Sequence, residues 1–116
     1  MNIQVIEHEN LRILEPLSEI SKVDDALELV AASMEHQTGF VLLDASMLSP
    51  SFFDLRTRFA GEFLQKLQNY QLRTAGVFPD QNYSERFQEF LLEAKRGQMF
   101  RVFEARAEAF GWLAAQ

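Results

Sequence analysis

A chain of 116 residues and 13.4 kDa, 47% hydrophobic and with 11 Phe, is long enough and apolar enough to fold as one α/β domain around a filled core. It contains no Cys, which excludes disulfides, thiolate metal sites and cysteine nucleophiles. A net charge of −6 argues against a nucleic-acid binder, whose phosphate contacts need clustered Lys and Arg.

The charge is uneven. Residues 1–50 carry nine acids against two bases, Arg12 and Lys22, whereas residues 51–116 carry eight acids and nine bases. The opening "MNIQVIEHEN" lacks the basic-then-apolar pattern of a secretory leader, and no apolar run reaches the roughly 18 residues of a membrane span. The expectation is a cytoplasmic protein that does not associate with membranes.

In chain order, "NIQVIEHENLRILEP" alternates apolar and polar residues about the turn "EHEN" and predicts a β-hairpin stopped by Pro16. Ser21 and Asp24 predict the cap of a helix with Val23, Leu27, Val30 and Met34 as its apolar stripe and Gly39 as its stop. "FVLLDA" (40–45) is a short continuous apolar run, as in a strand covered on both faces. A helix is expected over 50–71 and a strand over 73–78. A helix capped by Ser84 and ended by Gly97 follows. The chain then closes with a strand over 99–103 and a helix anchored by Phe110, Trp112 and Leu113. The order ββαβαβαβα predicts a mixed sheet of about five strands covered by helices.

The densest pattern is "PSFFDLRTRFAGEFLQKLQNYQLR". Wound as one helix, it puts Phe52, Phe59, Ala60, Phe63, Leu67 and Tyr70 on one face, with Asp54–Arg58 and Glu62–Lys66 as i,i+4 pairs. Two residues stand out. Gly61 lies mid-helix, where it costs about 1 kcal/mol relative to Ala, so a close neighbour is expected there. Arg56 falls within the apolar stripe and needs a partner. Ligands of open α/β sheets bind beyond strand C-termini, so Asp44, at the end of "FVLLDA", is the expected partner. The two form either a structural pair that fixes the loop or, with Lys66, an anion site.

No glycine-rich phosphate loop and no G-x-S-x-G elbow is present. His8 and His36 have no ligand spacing, so no metal site and no cofactor is predicted. Lys95, Arg96 and Arg101 around Phe100 read as charges at a helix end rather than as an RNA site. The aromatic C-terminal segment is either a core lid or a contact for another chain, including a second copy in a homodimer.

Phe52-Phe53-Asp54-Leu55-Arg56-Thr57, Ala60-Gly61-Glu62, Leu64-Gln65-Lys66 and Asn69-Tyr70 resemble the signature of a small bacterial family known only as a domain of unknown function. Where that pattern has a basic residue after the Asn-Tyr pair and an Asn before the later Arg-Gly, this chain has Gln71 and Lys95. The element order also resembles STAS (anti-sigma-factor-antagonist) domains. That likeness implies a phosphoacceptor at Ser51, or next at Ser49, although the "DSSG"-like sequence is absent and Ser51 also serves as a helix cap. No catalytic residue is assigned, and whether the chain is an enzyme stays open. The leading functional expectation is a non-catalytic regulatory or protein-binding module. The alternative is a small-molecule (anion) binder or small enzyme using the sheet-end crevice near Arg56.

Overall fold

The first hairpin closes on Glu9 and Asn10, whose φ values of 47° and 70° are the left-handed pair that a two-residue turn needs to match strand twist. In this computed structural model, which describes residues 1–116, the turn joins β1 (Ile3–His8) to β2 (Leu11–Pro16). Three strand-and-helix units follow. They comprise α1 (Asp25–His36), β3 (Phe40–Asp44), α2 (Phe59–Asn69), β4 (Arg73–Val77), α3 (Glu85–Ala94) and β5 (Phe100–Phe103), and α4 (Arg106–Ala114) closes the chain.

The fold is α/β, with a mixed sheet of five strands in the order β1-β2-β3-β4-β5. Only β1 runs antiparallel to its neighbour; β2 to β5 are parallel. Side chains alternate across the pleat. Leu14, Val41, Leu43 and Val102 meet α1, α2 and α3 on one face. Ile13, Leu42, Ala75 and Val77 meet Ala109 and Leu113 of α4 on the other. Three crossover helices thus share one layer, and a single short helix serves the opposite one.

Several local expectations need correction. Helix α1 is not capped by Ser21; instead the buried Asp25 carboxylate accepts the backbone N–H groups of Ser21 and Lys22 at 2.9 and 3.2 Å, folding the preceding chain back onto the first turn. The helix ends before Gly39, at His36, because Gln37 takes the left-handed conformation that stops it. Its buried stripe runs through Ala26, Leu29, Val30 and Ala32, and Leu27 and Met34 face solvent. The Ser84 cap is present, accepting the Phe87 N–H at 3.2 Å.

The largest difference lies in residues 50–58. They form two short 3₁₀ turns, Pro50–Phe53 and Leu55–Thr57, and only from Phe59 does the α-helix begin. The cause is local polar competition with the helix ladder. Asp54 is extended and its carboxylate accepts the Arg56 N–H at 3.1 Å, while Thr57 Oγ1 donates to the carbonyls of Ser51 and Asp54. Arg58 then turns left-handed at φ 64°. Phe52 keeps its core position despite the break. Its ring is fully buried and lies 5.7–6.4 Å from the rings of Phe53, Phe59, Phe63, Phe78 and Phe87.

Candidate functional site

The residues singled out from sequence separate in space. Arg56 leaves the apolar face altogether; its side chain is 81% exposed and grips Asp54 with two hydrogen bonds of 3.0 Å. That pairing holds the Arg56 guanidinium above its ordinary range and pushes the Asp54 carboxyl below its own, first through the side-chain bonds and then through the backbone N–H. The expected Arg56–Asp44 contact is therefore absent, as is the Asp54–Arg58 pair. Asp44 caps the turn after β3 through Ser46 and lies 3.9 Å from Arg106. Lys66 reaches across to Asp24 of the α1 entry at 3.1 Å, not to Glu62. Ser49 is buried, and its hydroxyl lies 2.9 Å from that of half-buried Ser51.

The ion pair that the fold builds is a different one. Glu15, at the end of β2, is 5% exposed and accepts two bonds from Arg106 at 2.7 and 3.1 Å and one from Gln4 at 2.7 Å. The Glu15 bonds, foremost, raise the Arg106 pKa. Glu15 shares the apolar phase of Leu11 and Ile13 along β2, and a carboxylate in that position is the readable sign that a cation must come to it. The partner lies 91 residues away, beyond the reach of any local pattern.

One site with room for a ligand lies at the C-terminal ends of β4 and β5; a wider, more polar recess of about 500 Å³ opens beside Asp54, Arg56 and Arg86. Phe78 continues β4 and donates its N–H to Phe103 at 2.8 Å, and the loop 79–84 folds over this junction. Tyr83 organises the loop. Its hydroxyl donates to the Pro79 carbonyl at 2.9 Å, its carbonyl accepts the Gln88 amide at 2.9 Å, and its ring stacks on Phe53 with centroids 6.0 Å apart. Burial, reinforced by the Asp80 charge and opposed by Gln81, pushes the Tyr83 phenol above its ordinary range. Between this loop, β5 and α3 opens a groove of about 270 Å³. Phe78, Leu91, Val102 and Phe103 supply its apolar wall, and Asp80, Lys95 and Glu104 stand at its rim. Those three charged groups make no ion pair or side-chain hydrogen bond with one another, which leaves them open to charges on a bound molecule. A half-open apolar groove with a few free polar groups is the usual form of a binding site.

The family model described as "Domain of unknown function (DUF4180)" matches residues 6–113, from β1 to α4. The chain belongs to this family. No curated protein and no solved structure matches it. Every structural element of the DUF4180 domain, from the hairpin to the last helix, falls within or overlaps the matched span. Asp80, Tyr83, Lys95 and Glu104 were not among the residues picked out as a site from sequence. "PDQNYS" reads only as a loop, and Lys95 only as a charge at a helix end, because the groove comes from three segments that meet in space.

Proposed function

We propose that this DUF4180 domain is a non-catalytic regulatory module of the bacterial cytoplasm that binds a partner protein, with the groove beside Tyr83 receiving an apolar side chain of that partner. The observation that carries the reading is the continuation of the groove's apolar lining onto Leu92, a large side chain left 61% exposed on the outer surface of α3. Interfaces concentrate their energy in one or two anchors that fill such a recess, with polar groups around it selecting the partner. Asp80, Lys95 and Glu104 are placed for that selection. Binding is favoured over catalysis because the rim groups are not joined to one another as an acid, a base or a nucleophile would be. The STAS-like order of elements fits a regulatory role of this kind.

A second reading keeps the same groove for a small amphiphilic molecule, since it opens where parallel strands end. The two separate by experiment. A photo-crosslinking amino acid placed at Leu92 captures a partner from the native host, and Leu92→Asp or Lys95→Glu abolishes the same complex in co-purification. An unchanged set of co-purified proteins in both variants overturns the protein-binding reading. A rise in melting temperature with a metabolite, lost on Lys95→Glu, transfers the groove to the second reading.

A further inference from the structure

We propose that the free edge of β1 is a separate docking surface, which takes an extended, basic segment of a partner chain as a sixth strand. It does not depend on the groove at the other end of the sheet. Strand β1 is terminal in the sheet order. Leu17 donates its N–H to Asn2 at 2.7 Å, and the two-residue turn pairs His8 with Leu11, so the even-numbered residues face β2. The N–H and C=O groups of Ile3, Val5 and Glu7 therefore point outward, unpaired, along a strand of six residues. Exposed edges are commonly blunted by Pro, Lys or a bulge. "IQVIEH" has no Pro or Lys, and its register with β2 is unbroken.

The chemistry beside this edge sets the partner. Ile3 and Val5 turn their side chains into the same layer as α1. A shallow trough of about 320 Å³ runs between the strand and that helix, with Ile3, Ala31 and Ala32 as its floor; at its rim stand Glu28, which holds the Met1 ammonium at 3.0 Å, and Glu35, 3.6 Å from His36. The Glu7 side chain, 71% exposed and 3.6 Å from the guanidinium of Arg12, stands farther along the same face. A Lys or Arg suits this cross-section, laying its aliphatic stem on the alanines and its cationic head at Glu35, or at Glu28 in the place the Met1 ammonium occupies. The surrounding half of the chain carries nine acids against two bases, so attraction over a longer range favours a basic segment too. A second copy of this chain would bring two such acidic edges together, and like charge opposes that pairing.

A short fluorescein-labelled peptide alternating Lys and Val is the probe, with an alternating Glu and Val peptide as its counterpart. Fluorescence anisotropy at low salt is expected to show binding of the basic peptide alone, weakening as salt rises. Amide hydrogen exchange of the complex, read by NMR, gains protection at Ile3, Val5 and Glu7, while Gln4 and Ile6 are protected before peptide is added. Glu28→Lys with Glu35→Lys, both on the surface, weakens binding by about tenfold or more. Val5→Pro abolishes it by removing the central donor, and if that variant does not fold the charge reversal decides. Equal binding of both peptides, new protection confined to other residues, or affinity unmoved by the charge reversal overturns the proposal. So does self-association through β1, seen as the same three amides becoming protected with protein concentration alone.

Discussion

Glycine at position 61 weakens α2 without making room for a neighbour: a Cβ built there meets nothing within 4 Å. The close approach expected from its mid-helix position does not exist, so Gly61→Ala is expected to stabilise the fold by about 0.5–1 kcal/mol, read as a higher urea midpoint. A lower midpoint would show that the glycine has a role outside the folded monomer. Gly97 is the contrasting case, since a Cβ there would sit 1.8 Å from the Phe100 carbonyl oxygen. The Asp54–Arg56 pair gives a second prediction. Its carboxyl is held low in the folded state, so it adds stability above the ordinary Asp value of about 3.9, and loses it as pH falls through the lower folded value. In an NMR titration the Asp54 carboxyl should have its midpoint below that value, and Arg56→Ala should bring it back. The rule that a charge on an apolar face needs a counter-charge was sound. It failed for Arg56 because Asp54 interrupts the helix that would have aimed the side chain inward, and it applies to Glu15, where the strand phase was legible but the partner was not.

Helix α4 has nine residues, no side-chain cap at its start and a glycine in its second half, yet it alone covers one face of the sheet. Its hold comes from Ala109 and Leu113 against the strands and from Arg106 on Glu15. Removing the guanidinium as Arg106→Met leaves a buried carboxylate with only Gln4 as its hydrogen-bond donor. The expected cost is about 2–3 kcal/mol by chemical denaturation, most of it recovered in the double variant with Glu15→Leu. The amides of α4 are expected to exchange through a partial opening well below the global unfolding energy, and faster still in Arg106→Met. A uniform loss of protection across the sheet would instead make α4 part of one cooperative unit. Elements whose limits depend on a single strong signal were readable: the hairpin, strand β3, and α3 with its Ser84 cap. The entry to α2 was not, because Asp54 and Thr57 bond to nearby backbone and outweigh a hydrophobic period that runs through them unbroken.

At the scale of the molecule, the five-strand mixed sheet followed from the alternation of strand and helix patterns, whereas the location of the groove did not. Placing a site beside Asp44 rested on ligands binding beyond strand C-termini, a rule that does not say which strand; the crevice itself opens where strand order reverses. Here β2, β3, β4 and β5 follow one another in sequence and α1, α2 and α3 share one layer, so no reversal exists between them. The recess forms at the last strand instead, where only α3 and the loop 79–84 border it. The same orderly succession bears on how the chain acquires its shape. Each strand finds its mate in the segment made just before it, so few long loops must be closed and pairing entropy stays small. A polypeptide leaving the ribosome can add each new strand to a margin already in place, and β5 is the last to arrive.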